Sequence, residues 1–204
     1  VYDSYIKVYD FYKKYGLTSV DGFGTPLLIL TDYCDSTKNP VNNAVYLGMC
    51  SGWAVFSASA VNDFGECIDV AAHEFTHGIT DYASGGNLYQ NQSGAVNEGI
   101  SDVCGNLCEM LLGATTDETW LLGENSGSAI RCMSAPWMYG QPSAMYDSYY
   151  YPETDAPDLY NDYGGVHINS SLIGYVGYQL CNAGMTKEQA FGLWMGALRM
   201  MTPK

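Results

Sequence analysis

Basic residues are scarce in this 204-residue chain, and their scarcity excludes one broad class of function. The sequence has 8 Lys and Arg against 22 Asp and Glu, which gives a formal net charge of −14. Proteins that bind DNA or RNA neutralise phosphates with Lys and Arg, so we expect no nucleic-acid partner. The acidity fits a soluble extracellular protein and equally a protein that holds cations.

Long apolar runs are also missing. No stretch approaches the roughly 20 apolar residues that cross a bilayer, so we expect no membrane anchor. The chain begins with neither an initiator Met nor the basic and apolar regions of a signal peptide, which is typical of a mature or trimmed chain. Hydrophobic residues make up 47% of the sequence and charged residues 15%, a balance that favours a folded core over disorder.

The cysteines lack the C-x-x-C spacing of a structural zinc site. Because seven is an odd number, at least one thiol stays unpaired within the chain. Cys104 and Cys108 share a face of a predicted helix, and the sequence favours buried thiols and disulfides equally. The seven residues are Cys34, Cys50, Cys67, Cys104, Cys108, Cys132 and Cys181.

The first third of the chain has the pattern of one helix followed by strands. Residues 1–15 show helical apolar spacing, and Gly16 ends that pattern. Three strand-like runs follow at 27–33, 44–50 and 53–58, and turn-forming residues separate them.

The rest of the chain has mainly helical periodicity. We predict helices at 67–83, 95–112, 166–182 and 187–201, a polar loop at 84–94, and mostly irregular structure at 113–164. Thr186 and Gln189 form a capping box at the last helix, and Pro203 ends it. The sequence therefore predicts an α+β fold, with a β-rich N-terminal lobe at 1–66 and a helical catalytic part at 67–204, together one compact domain.

Residues 73–77, His-Glu-Phe-Thr-His, match the pattern H-E-x-x-H within a predicted helix. Side chains at positions i and i+4 lie on one helix face, about 5–6 Å apart, so both imidazoles can reach a single zinc ion. Glu74 then lies beside the metal, where a base that acts on a water molecule is needed. The pattern also arises by chance on solvated faces, but apolar neighbours here make an unliganded polar pair costly.

A catalytic zinc needs three protein ligands and an open position, and the chain has only three His. Glu98 begins the next predicted helix, which an intervening loop would fold back over the His pair. Asp102, four residues on, can accept the outer N–H of a ligating His; the alternative is an ordinary exposed carboxylate. His167 follows Asp162 across a glycine turn, and a His paired in this way can stabilise an oxyanion; the alternative is a core or capping His.

These motifs together resemble the thermolysin family of neutral zinc metalloendopeptidases. The similarity covers nearly the whole chain in collinear order. It rests on residues 5–15, 42–44, 73–77, 80–82, 89–91, 93–98, 100–102, 131–134, 164–170 and 199–203.

The resemblance implies a role for each matching residue. His73, His77 and Glu98 would bind zinc, and Glu74 would be the general base for a metal-activated water. His167, oriented by Asp162, and Tyr89 would donate to the oxyanion. Implied substrate contacts are Asn43 and Ala44 to the backbone, Arg131 to a carbonyl, and Val70, Leu122 and Ile130 in an apolar S1′ pocket. Cleavage before bulky apolar residues follows from that pocket.

The chain also departs from the family pattern. It lacks the family's N-terminal β segment and its last C-terminal helices, as a minimal or trimmed enzyme would. Of the family's calcium carboxylates, Asp69, Glu109 and Glu124 are present, whereas Thr119 and Leu121 stand where acids are expected. The resemblance therefore implies an incomplete calcium site.

Two other functions compete with peptide hydrolysis. A zinc-binding module without activity would lose the base or the oxyanion donors, but Glu74, Tyr89 and His167 are all present. A cysteine-based hydrolase needs a His beside its thiol, and every His already has an assigned role. We expect a secreted, monomeric zinc endopeptidase that acts on peptides or proteins and binds neither nucleic acid nor membrane.

Overall fold

The structure is a computed structural model that describes residues 2–31, 34, 36–39, 42–47, 53–56, 63–86, 89–114 and 120–200. It confirms the α+β class. The helices are α1 (Tyr2–Lys14), α2 (Ile68–Ser84), α3 (Asn91–Leu112), α4 (Asp162–Asn169), α5 (Ser171–Asn182) and α6 (Lys187–Arg199). The strands are β1 (Leu28–Leu30), β2 (Ala44–Tyr46), β3 (Trp53–Phe56), β4 (Leu121–Leu122) and β5 (Arg131–Cys132).

The N-terminal strands form a small mixed sheet in the order β1-β3-β2. Leu28 of β1 pairs with Trp53 in a parallel register, and Ala44 of β2 pairs with Phe56 in an antiparallel one. All three predicted strands are present, although residues 32, 33, 48–50, 57 and 58 of the predicted runs lie outside the described part of the chain. One edge of β2 is left unpaired within this sheet.

Helices α2 and α3 form the centre of the molecule and run antiparallel. The start of α2 lies beside the end of α3, because Asp69 and Glu109 approach each other there, while His77 meets Asn97 at the opposite end. The two helices pack closely: a Cβ at Gly105 would lie 2.5 Å from the Asp69 carbonyl oxygen. Any side chain at position 105 would therefore push the helices apart.

Helix α1 covers α2 and builds the largest aromatic part of the core. The rings of Tyr12 and Phe75 lie 4.9 Å apart, and those of Phe11 and Phe191 also lie 4.9 Å apart. The buried Tyr12 hydroxyl lies 2.6 Å from Thr76 Oγ1, so its polar group is satisfied. The N-terminal helix thus packs on α2 and also contacts α3.

Two predicted boundaries are wrong. Helix α2 continues to Ser84 and α3 begins at Asn91, so the predicted loop at 84–94 is shorter; the first turn of α3 is polar and shows no apolar periodicity. The predicted helix at 166–182 is two helices separated at Ser170. The Ser170 hydroxyl donates to the His167 carbonyl 2.9 Å away, a side-chain bond that competes with the helical ladder.

The predicted irregular region and the predicted capping box are confirmed. Residues 113–161, where described, contain only the two-residue strands β4 and β5 and short 3₁₀ turns, and α4 begins at Asp162. Thr186 Oγ1 accepts from Gln189 N at 3.2 Å, as one half of the capping box. Cys67, Cys104 and Cys108 are buried free thiols. In the described part of the chain, no helix combines the length and apolar character needed to span a bilayer.

Candidate metal centre

The side chains of His73, His77 and Glu98 converge between α2 and α3. His73 and His77 lie one turn apart on α2, and their Nε2 atoms face each other at 2.9 Å. Glu98, in the third turn of α3, places its Oε1 atom 3.2 Å from His77 Nε2 and its Oε2 atom 3.5 Å from His73 Nε2. The spacing in the sequence and the close α2–α3 contact together bring three ligand-type atoms to one point.

These distances fit a zinc ion. Zinc bonds of about 2.0–2.1 Å in tetrahedral geometry place neighbouring ligand atoms roughly 3.3 Å apart, close to the three observed separations. Glu98 is 1% exposed, and its Oε2 atom has no hydrogen-bond partner within the described residues. A buried carboxylate oxygen without a partner is costly, and a bound cation would remove that cost.

The outer nitrogen of each histidine lies beside a side-chain oxygen. His73 Nδ1 lies 2.9 Å from Asp102 Oδ1, and His77 Nδ1 lies 2.8 Å from Asn97 Oδ1. Arg131 Nη2 donates to the same Asp102 oxygen over 2.9 Å. The predicted position of Asp102 behind a ligating His is therefore found. Asn97 was missed, because no motif marks it, although it directly precedes Glu98 in the sequence.

Opposite charges keep the central carboxylate ionised. Burial alone would raise the pKa of Glu98, but the surrounding histidines, His167 first, hold that pKa well below its usual range. For His77, burial alone would lower the pKa, but the negative charge of Glu98 outweighs burial and raises the pKa to about 9. An ionised, water-excluded carboxylate is the ligand that a divalent cation requires.

Glu74 lies next to the histidines, between two clefts that it lines together with His73 and His167. It is 5% exposed, and burial raises its pKa while His73 and His77 lower it. A carboxyl group with a raised pKa and access to both clefts can take up and release a proton.

His167 and Tyr89 stand on the opposite side of Glu98 from α2. The Tyr89 hydroxyl donates to Glu98 Oε1 and lies 3.2 Å from His167 Nε2. Asp162 holds His167 at two points: its Oδ2 atom accepts the backbone N–H at 2.8 Å, and its Oδ1 atom lies 2.5 Å from Nδ1. Partial burial lowers the pKa of His167, but Glu98 and Asp162 raise it, and the net shift is upward.

The smaller cleft, of about 120 Å³, contains the predicted apolar pocket. Val70, Leu122 and Ile130 all line it, as the resemblance implies. Phe64, a residue that the sequence analysis missed, also lines it. Arg131 lines the same cleft, and its buried Nε atom has no hydrogen-bond partner among the described residues.

The larger cleft extends along the unpaired edge of β2. Asn43 and Ala44 line both clefts, which places the predicted substrate-backbone residues beside Glu74. The larger cleft also has lining residues that no motif indicated, namely Tyr46, Leu159 and Tyr163, and it includes Asp81, which lies in the matched run 80–82 but was given no role. Asp81 could have been found from spacing, because it lies one helical turn after His77.

A second cluster lies at the other end of the α2–α3 pair. One carboxylate oxygen from each of Asp69, Glu109 and Glu124 lies within 4.8 Å of the other two. Burial, with further contributions from neighbouring carboxylates, raises the pKa of Asp69 to about 6 and that of Glu109 to about 8. Leu121, where an acid was expected, supplies only a backbone oxygen that accepts from Asn106; Thr119 lies outside the described residues.

Comparisons with known proteins agree with this geometry. A family model described as "Thermolysin metallopeptidase, catalytic domain" matches residues 3–81, and one described as "Thermolysin metallopeptidase, alpha-helical domain" matches residues 86–204. Bacillolysin of Bacillus caldolyticus and thermolysin of Alicyclobacillus acidocaldarius are each 36% identical over 185 residues, which is 87% of this chain. The precursor of protealysin, a metalloproteinase of Serratia proteamaculans, superposes with a TM-score of 0.78 and 30% identity over 97% of this chain.

The matched proteins are longer than this chain. The alignments cover 31% of the bacillolysin and thermolysin sequences and 63% of the protealysin precursor structure. Family membership is therefore a property of this chain, while the activity of those whole proteins transfers to it only as a proposal.

Proposed function

Because the chain belongs to the thermolysin family of metallopeptidases, we propose that it is a zinc-dependent endopeptidase that uses water to hydrolyse peptide bonds. The observation that carries the proposal is the convergence of His73, His77 and Glu98 at distances that suit zinc, with Glu74 beside them at the junction of two clefts. When bound, zinc supplies Lewis acidity that activates water and polarises a carbonyl group.

The residues around the metal position have the remaining catalytic roles. Glu74 accepts the proton of the attacking water and passes it to the leaving amine. His167 and Tyr89 donate hydrogen bonds to the negative charge that develops on the substrate carbonyl oxygen, usually the largest catalytic contribution. Asp162 keeps the Nε2 side of His167 directed at the site, since it occupies Nδ1.

The residues that line the two clefts orient the peptide substrate. The edge of β2, with Asn43 and Ala44, offers backbone hydrogen bonds to an extended peptide. Arg131 binds a substrate carbonyl, which would occupy its otherwise unpartnered Nε atom. An apolar residue after the scissile bond enters the pocket of Val70, Leu122 and Ile130, which gives a P1′ preference for bulky apolar side chains.

The proposal extends to calcium binding and to the location and partners of the protein. A Ca²⁺ ion at Asp69, Glu109 and Glu124 would neutralise three clustered carboxylates. The protein acts outside the cell as a monomer on peptides or proteins, without nucleic-acid or membrane partners; the net charge of −14 supports this setting.

The test of catalysis uses Glu74→Gln. The variant should keep one zinc per chain, measured by atomic emission, and lose at least about 10²-fold in kcat on a protein substrate, because the proton acceptor is gone. Glu66→Gln, at an exposed carboxylate before α2, is the matched control and should behave as the parent protein does. Normal turnover by Glu74→Gln would refute the assignment, and a zinc-loaded parent without hydrolysis would favour the binding-module alternative.

A further inference from the structure

The first four residues of α4, 162–165, are not helical but form a turn that leads to His167. Asp162, Tyr163, Gly164 and Gly165 have φ values of 54°, 51°, 85° and 75°, all in the left-handed region. Two of the four are not glycine, and such a conformation costs about 1–3 kcal/mol per residue and persists only where the surrounding structure holds it. The position of His167 therefore depends on what packs against this turn.

Two residues, Asn91 and Tyr151, pack closely against the turn. A Cβ at Gly164 would lie 2.0 Å from Asn91 Oδ1, and a Cβ at Gly165 would lie 2.6 Å from Tyr151 Cβ. Asn91 is the first residue of α3, and Tyr151 begins an irregular segment at 151–154. The turn is thus enclosed between the start of α3 and this segment.

Two amide side chains fix that segment. Asn91 Nδ2 donates to the Thr154 carbonyl at 3.0 Å, and its Oδ1 accepts from Thr154 N at 3.1 Å. Asn169 Nδ2 donates to the Tyr151 carbonyl at 2.7 Å, and its Oδ1 accepts from Tyr151 N at 3.0 Å. Each amide satisfies both backbone groups of one residue, as a neighbouring β-strand would.

The two asparagines belong to opposite sides of the candidate active site. Asn91 lies two residues after Tyr89 on the α3 side, and Asn169 lies two residues after His167 at the end of α4. Tyr89 and His167 are the two proposed oxyanion donors, 3.2 Å apart at their polar atoms. A shift of the 151–154 segment would change that separation.

We propose that Asn91 and Asn169 are positioning residues, whose amides hold segment 151–154 as a brace behind the turn and so fix His167 beside Tyr89. The expected effect on kcat rests on the proposed function, whereas the bracing of His167 rests on the hydrogen bonds alone. Neither asparagine is among the described residues that line the two clefts.

Asn91→Asp and Asn169→Asp provide the kinetic test. Each variant keeps the side-chain shape and one acceptor oxygen but loses the amide donor. We expect kcat to fall about 10- to 100-fold, as for a small misplacement of a catalytic group, with KM changed less than about threefold and zinc at one per chain. Thr186→Ala, which removes the N-cap of α6, is the control for lost stability and should leave kcat unchanged.

A second measurement does not depend on activity. The chain has only three histidines, so ¹⁵N-histidine NMR of the zinc-loaded protein resolves each ring. The His167 Nδ1–H signal, protected by Asp162, should be lost to solvent exchange in Asn169→Asp, while the His73 and His77 signals stay. An inactive parent would overturn the proposed function and leave this spectral test intact. Unchanged His167 signals, kcat within twofold of the parent, or parallel loss of zinc and kcat would overturn the positioning role.

Discussion

At the scale of single residues, the two proposed ligand histidines differ in their outer partners. His77 is held by a neutral amide, Asn97, whereas His73 is held by the carboxylate of Asp102, which also binds Arg131. Such outer partners fix the tautomer of a ligand imidazole and raise its basicity. Because it carries charge and a second partner, Asp102 should contribute more to metal affinity than Asn97 does.

Asp102→Asn tests that difference. The substitution removes the negative charge that faces His73 and Arg131, so zinc affinity should fall about 10- to 100-fold. Competition with a chromophoric chelator measures the affinity directly. Asp10→Asn, at an exposed carboxylate on α1, is the control and should leave affinity unchanged. Equal affinity in Asp102→Asn and the parent would contradict the role given to this contact.

The apolar pocket leads to a second residue-scale prediction. Leu122 is 1% exposed, and it shares the pocket with Phe64, which is 6% exposed. Leu122→Ala enlarges a cleft of only about 120 Å³ and should broaden the preference for the residue after the cut toward larger side chains. Cleavage profiles of a peptide library measure the change. An unchanged profile would place the P1′ side chain elsewhere.

At the scale of elements, the metal centre depends on how closely α2 and α3 pack. Gly105→Ala should destabilise the protein by about 1–3 kcal/mol, because its Cβ would meet the backbone of Asp69. It should also weaken zinc binding, since separating the helices moves His73 away from Glu98. Thermal unfolding and zinc titration measure the two effects.

Gly192→Ala is the matched control for this helix-interior substitution. Gly192 lies in α6, and a Cβ there meets nothing within 4 Å. Replacing it should stabilise the protein by up to about 1 kcal/mol through helix propensity alone. Destabilisation of both variants by similar amounts would show that the Gly105 effect is not due to close helix packing.

The same elements show what could be predicted from the sequence. The H-E-x-x-H residues were identified because helical spacing is local, and Glu98 followed from the ligand count that zinc needs. The glycine turn before His167 was predicted, but the left-handed backbone at Asp162 and Tyr163 was not, since Asn91 and Tyr151, which pack against this turn, are distant in sequence. Strand and helix ends were the least accurate, because tertiary contacts set them.

At the scale of the whole molecule, the α2–α3 pair connects all parts of the chain described. Helix α1 packs on α2 through Tyr12, and the edge of β2 lines the cleft beside Glu74. The predicted division at residue 66 into a β-rich lobe and a helical part stays a prediction, with the metal centre on the helical side. Both candidate cation sites take residues from α2 and α3, one near each end of the pair, and the second also includes Glu124.

We expect the cluster at the far end of the pair to make stability depend on pH and on Ca²⁺. The pKa values of Asp69 and Glu109 are raised to about 6 and about 8, against about 4 for unfolded chains. The folded state therefore binds more protons than the unfolded state above pH 4. This contribution to stability is complete below about pH 4 and is lost as pH rises to about 8.

A cation that replaces those protons should reverse the loss. Without Ca²⁺, and with zinc held constant, we expect the melting temperature to fall between pH 5 and pH 8. Added Ca²⁺ should raise it more at pH 8 than at pH 5, because a cation binds the ionised carboxylates. Glu109→Gln should flatten both dependences, whereas Glu188→Gln, on the exposed start of α6, should not. If Ca²⁺ raised the melting temperature equally at both pH values, the ion would be binding elsewhere, because binding at this cluster must displace more protons at pH 5 than at pH 8.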